Sequence, residues 1–116
     1  MPTNTPWPPR YPSDFVPNED SEYWDKELET MPPEQRDPII LEKLRSQIAY
    51  AHRNSGFYQD FYQDVSVDPS NIRSFEELAQ LPILTKEDIR REQEQHPPYG
   101  RFLCIPEEQI YRVHGT

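Results

Sequence analysis

Proline placement limits what this chain can become more than any other feature. Prolines make up 14 of its 116 residues, and each one fixes φ and removes a backbone donor. Pro2, Pro6, Pro8, Pro9, Pro12 and Pro17 fall within residues 1–22, interleaved with Trp7, Tyr11 and Phe15. At that density the backbone is held in polyproline-like or irregular states. Residues 1–22 are therefore expected to form an arm, disordered or docking. Either it is a mobile tail, or Trp7 or Phe15 packs onto the rest of a larger protein. Further on, Pro32-Pro33, Asp68-Pro69 and Pro97-Pro98 cut the remainder into short pieces.

Only 34% of the residues are hydrophobic. With much of the first third of the chain set aside, about 80 residues remain to build a core, and at that size a lone core rarely supplies more than about 3–5 kcal/mol. Independent stability is not expected. The net charge of −9, from 21 acidic and 12 basic residues, argues against nucleic acid, which needs a basic stripe to neutralise phosphates. It argues equally against an anionic membrane surface. No apolar run approaches the roughly 18 residues of a membrane span. The start, Met1-Pro2-Thr3-Asn4-Thr5-Pro6, lacks the basic and apolar regions of a secretory signal. A single cysteine leaves no internal disulfide framework and suits a reducing compartment. The expected location is the cytoplasm.

From Tyr23 onward the local signals are helical. Glu22–Glu29 mixes aromatic and charged residues in a short turn or docking segment that Pro32-Pro33 ends. Asp37 before Pro38 reads as an N-cap followed by proline at the first helical position. The helix so begun carries Leu41, Leu44, Ile48 and Ala51 on one stripe, leaves Lys43, Arg45 and Arg53 for solvent, and stops at Asn54-Ser55-Gly56. Phe57, Tyr58, Phe61 and Tyr62 suggest a short aromatic helix, followed by a loop from Val65 to Asn71. Ser74 with Glu77, and Thr85 with Asp88, resemble capping boxes. The second box opens a helix over about 86–95, charged nearly all round, with Ile89 as its apolar anchor and His96-Pro97-Pro98 as its stop.

Arg101–Ile105 and Ile110–His114 alternate or concentrate apolar residues as strands do. Nothing upstream offers them a partner, and one or two strands with unpaired edges need a sheet from elsewhere. The expected fold class is mainly α with one or two C-terminal β-strands. The run Ile110–Thr116 reads as a strand entering a Gly/Thr turn, and so as the front end of a larger protein.

Tests for chemistry return little. The pairs Glu27/Glu29, Glu76/Glu77 and Glu107/Glu108 fall in caps and solvated helix faces. His52, His96 and His114 are far apart and no Cys-x-x-Cys occurs, so no metal site is expected. Cys104, between Leu103 and Ile105, reads as a small buried hydrophobe. His114 stands directly before Gly115-Thr116. It is either a strand-end histidine bonded to nearby backbone or a group beside a bound nucleotide or carboxylate, and the same choice applies to Arg112. Thr116 could offer a hydroxyl to a phosphate.

Several runs then combine in order: Tyr23-Trp24, Glu27–Met31, Leu41–Arg45, Ala49-Tyr50-Ala51 and Asn54–Tyr58. They continue through Val67-Asp68-Pro69, Ile72–Ala79, Leu81-Pro82, Thr85–Arg90, Tyr99-Gly100, Phe102, Ile105–Glu108 and Arg112-Val113-His114. Together they resemble the N-terminal region of the phenylacetate–CoA ligases, of the adenylate-forming AMP-dependent synthetase/ligase superfamily. The resemblance covers residues 23–116. It implies the N-terminal helical segment of the large α/β ligase domain, ending where a Ser/Thr/Gly-rich phosphate loop begins, with Thr116 as that loop's first residue beside Gly115 and His114. The implied parent uses ATP, Mg²⁺ and CoA. It converts an aryl carboxylic acid to an acyl-adenylate and then to a thioester. The remainder of the ligase chain would be the partner, burying Leu41/Leu44/Ile48 and Phe57/Phe61. No catalytic residue is carried over, and the fragment by itself is expected to bind no cofactor and catalyse nothing. The alternative is a stand-alone acidic helical module that binds a protein partner.

Overall fold

The computed structural model describes residues 14, 16 and 18–115; Trp7 and Phe15 of the arm, and Thr116, lie outside them. The chain divides into two compact units, Met1–Lys43 and Leu44–Thr116. The described residues are mainly helical and contain no β-strand.

In the first unit, helix α1 spans Lys26–Glu29. Its termini are tied reciprocally: the Asp25 side chain accepts from the Leu28 N–H at 3.0 Å, and Glu29 Oε1 accepts from the Asp25 N–H at 2.8 Å. Helix α2, Pro33–Asn54, starts five residues before the expected Asp37-Pro38 cap. Pro33 takes the first helical position, where a missing N–H costs nothing, and the Pro32 carbonyl accepts from Gln35 and Arg36 at 2.9 Å each. Pro38 then lies inside the helix. Its ring removes the bond that the Glu34 carbonyl would have accepted, and the exposed setting of Glu34 leaves that carbonyl to water.

The second unit contains the end of α2 and three further helices: α3 (Gly56–Phe61), α4 (Phe75–Leu78) and α5 (Lys86–Gln95). Two 3-10 turns follow, Gly100–Phe102 and Glu107–Gln109. Ser55 does not simply stop α2. Its side chain caps α3 by accepting from the Tyr58 N–H, so Gly56 is the first residue of α3 rather than a left-handed terminator. The Thr85–Asp88 capping box is complete in both directions. At α4 only half of the expected box forms. Ser74 Oγ accepts from the Glu77 N–H at 3.1 Å, but Glu77 reaches past Ser74 to the Arg73 N–H at 2.8 Å and to the Arg73 guanidinium.

Among the described residues the buried apolar side chains are Phe57 (8% exposed) and Ile72 (0%). Phe57 stacks on Phe61 at 5.1 Å between ring centroids and meets Phe102 at 4.4 Å, which brings the Gly100–Phe102 turn against α3. The stripe on α2 is only half-covered: Leu44, Ile48 and Ala51 all keep part of their surface.

The expected strands do not form. Arg101 and Phe102 belong to a 3-10 turn, and residues 110–115 take no regular structure. A strand is defined by its ladder, and this segment has no neighbouring strand to supply one.

Candidate functional site

The segment singled out by sequence runs in the open. Tyr111 is 94% exposed and Val113 59%, and Arg112 lies over the Tyr111 ring, with its guanidinium carbon 5.9 Å from the centroid. His114 and Gly115 are both exposed. A side chain built on Gly115 would meet nothing within 4 Å, so its backbone is open to close approach by a ligand. Residues 109–114, together with Tyr99, Leu103 and Ile105, line an open groove of about 590 Å³.

Tyr99 and Leu103 flank Arg101, and Arg101 is the most heavily tied side chain in this unit. Its Nε donates to Glu92 Oε1 at 2.8 Å, one terminal nitrogen donates to Glu92 Oε2 at 3.3 Å, and the other donates to Asp60 Oδ2 at 2.6 Å. The Arg101 backbone N–H also donates to Glu92 Oε1 at 2.8 Å, while the Arg101 carbonyl accepts from Ser55 Oγ at 2.9 Å. The guanidinium fork suits this task, because its donors lie in one plane at fixed angles. One residue thus joins α3, α5 and the 3-10 turn. Ser55 is fully buried and Glu92 is 5% exposed. Both are satisfied, and no buried side-chain nitrogen or oxygen lacks a partner among the described residues.

Gly100 makes the arrangement possible. Its φ of +68° lies in the left-handed region, and a β-carbon there would stand 2.7 Å from Glu92 Cγ. Only glycine allows the turn to approach α5 so closely.

The electrostatics follow from these contacts. Hydrogen bonds from Arg101 hold the Glu92 carboxyl below its ordinary range, against a burial that pushes it up. The same bonds, with those to Asp60, push the Arg101 guanidinium up. His96 Nδ1 adds a contact to Glu92 Oε1 at 3.3 Å. Burial raises the Cys104 thiol, which lies 3.7 Å from the Phe102 carbonyl. A raised thiol is a poor nucleophile at neutral pH.

His114 lines the groove and the exposed Gly115 follows it in sequence, but His52 and His96 remain elsewhere, against Ser70 and Glu92. Among the described residues no group of three His, Cys, Asp or Glu side chains could hold a metal ion. Sequence reasoning did not find the Asp60–Arg101–Glu92 tie. The available signal was the spacing of Ile89 and Glu92, three residues apart and so on one helix face. The arrangement is that of a brace joining α3, α5 and the 3-10 turn.

No protein-family model matches the chain. It is similar to the phenylacetate–coenzyme A ligase of Thermus thermophilus, 34% identical over 90 residues, which is 78% of this chain and 19% of that protein. The phenylacetate–coenzyme A ligase of Aromatoleum evansii is 30% identical over 78 residues, 67% of this chain and 17% of the relative. The chain thus spans about a fifth of the length of the curated relatives it matches. Among solved structures it resembles an open conformation of 2-hydroxyisobutyryl-CoA ligase in complex with 2-HIB-AMP and CoA. That match has a TM-score of 0.80 and 37% identity, over 96% of this chain and 26% of the other. The same ligase in its thioesterification state gives the same score and identity over 24% of its length.

Proposed function

Because this chain belongs, over about a fifth of their length, with the phenylacetate–CoA ligases of the adenylate-forming superfamily, we propose that it is the N-terminal helical segment of an acid–CoA ligase. In that ligase a carboxylate attacks the α-phosphate of ATP, with Mg²⁺ assisting, and pyrophosphate leaves. The thiol of CoA then attacks the acyl-adenylate, forming a thioester and releasing AMP. The observation that carries the proposal is the likeness to 2-hydroxyisobutyryl-CoA ligase, which extends over 96% of this chain at a TM-score of 0.80.

The part assigned to these residues is support. His114 lines the groove, and Gly115 follows it with open space around it. On this reading they lead into the phosphate loop, whose N–H groups and hydroxyls stabilise the phosphates during transfer. The chain alone is proposed to be inactive. The acid is proposed to be aryl and phenylacetate-like, as the names of the curated relatives suggest. ATP and CoA as substrates, and Cys104 kept as a free thiol, suit the cytoplasm. No described helix is long and apolar enough to cross a membrane.

ATP–pyrophosphate exchange tests the proposal. It is measured on this chain and on the longer polypeptide read from the same gene, with phenylacetate and with 2-hydroxyisobutyrate. Exchange that depends on phenylacetate in the longer polypeptide, and none in the chain alone, is the expected result. Exchange with 2-hydroxyisobutyrate only would overturn the aryl assignment. A reading frame that closes after residue 116 would overturn the ligase role and leave the protein-interaction module.

A further inference from the structure

We propose that Arg101 is a positioning residue for the segment Ile110–Gly115. Clamped between Asp60 and Glu92, it fixes the turn whose flanking side chains support that segment. The inference rests on the ligase reading for its catalytic consequence, but its structural content stands apart from it.

Residues 110–115 have no regular structure, and Tyr111 and Val113 are largely exposed. Their path is therefore set by what they lie along. Residues 110–114 line a groove together with Tyr99 and Leu103, which stand two residues to either side of Arg101. Arg101 has five ties within this unit: three guanidinium bonds to α3 and α5, its own N–H to Glu92 and its carbonyl to Ser55; the adjoining Phe102 ring on Phe57 adds a sixth to the turn. A turn held at that many points has little freedom. The wall it presents to Ile110–Gly115 is correspondingly fixed. A segment that leads into a phosphate loop needs this, since misplacing a reacting group by about 1 Å can cost on the order of a hundredfold in rate.

Two readouts test it. The first is amide hydrogen exchange on the chain itself, comparing the wild type with Arg101→Gln, Arg101→Lys and the milder Asp60→Asn, which removes one tie and leaves Glu92 paired. The expected result for Arg101→Gln is about tenfold faster exchange at the hydrogen-bonded Gln109 and Ile110 N–H groups, where the segment begins, with Ile48–Phe57 unchanged and part of the protection restored in Arg101→Lys. Asp60→Asn should show a smaller change in the same region. Faster exchange spread evenly over the unit would mean that Arg101 only holds the fold together, and would overturn the proposal. So would unchanged exchange at Gln109 and Ile110.

The second readout is pyrophosphate exchange by the longer polypeptide. Arg101→Gln should lower kcat by roughly ten- to a hundredfold, with KM for the acid within about twofold and Arg101→Lys intermediate. A rise in KM for the acid at constant kcat would overturn the positioning role. If the wild type shows no exchange activity with either acid, the ligase reading fails, and amide exchange still decides the role of Arg101.

Discussion

Glu92 is a carboxylate buried on a helix that is otherwise charged and exposed, and it stays ionised because Arg101 reaches it from both backbone and side chain. Its folded pKa lies below the ordinary 4.5, since the Arg101 hydrogen bonds outweigh the burial that opposes them. Folding therefore favours the ionised form. The stabilisation is fully present above about 4.5 and is lost as pH falls through the lowered folded value. Glu77 and Asp88 are lowered in the same way, by Arg73 and by Thr85, so the acid loss is shared. The difference between wild type and Glu92→Gln isolates one share of it. Urea midpoints measured from pH 7 to pH 3 should show Glu92→Gln well below wild type at pH 7. The gap should close toward pH 3. A constant gap across the range would mean that the ionised carboxylate is not what Arg101 holds.

Helix α5 has a low apolar content and depends on its ends. Thr85 and Asp88 satisfy its first donors, and Thr85→Ala should cost about 1 kcal/mol, read as a lowered urea midpoint with unchanged slope; an unchanged midpoint would show that α5 is held by Arg101 alone. The limits of α5 are legible because both signals are local: a cap pair three residues apart and a double proline after the last turn. The start of α2 is not legible in this way. Pro33 and Pro38 meet the same N-terminal preference, and nothing nearby in sequence ranks them. The period-two pattern of Ile110–His114 is real but marks a face, and a face becomes a strand only when another strand bonds to it. The Ser55 and Asp60 ties to Arg101 span 46 and 41 residues. No pattern within a window records them, whereas His114 and Gly115 stand out locally, at the end of a period-two run entering a Gly/Thr turn.

At the scale of the whole molecule, apolar burial is scarce. Phe57 and Ile72 are the buried apolar side chains among the described residues, while Val16, Trp24 and Ile83 are exposed. A domain of about 100 residues normally unfolds with an enthalpy of about 60–80 kcal/mol. The isolated chain should fall well short of that, with a broad thermal transition and weak near-UV circular dichroism. A sharp two-state transition with strong near-UV signal would contradict it. Phe57→Ala, which costs about 3–5 kcal/mol in a well-packed core, should therefore remove most of the tertiary signal. The brace also has an effect in time. Ser55 finds its partner 46 residues later, and at 5–20 residues per second that interval is roughly 2–9 s of synthesis. Throughout it the nascent chain carries the aromatic face of α3 uncovered by Phe102, so in the cell the order of translation leaves this face open to other proteins before its own turn arrives.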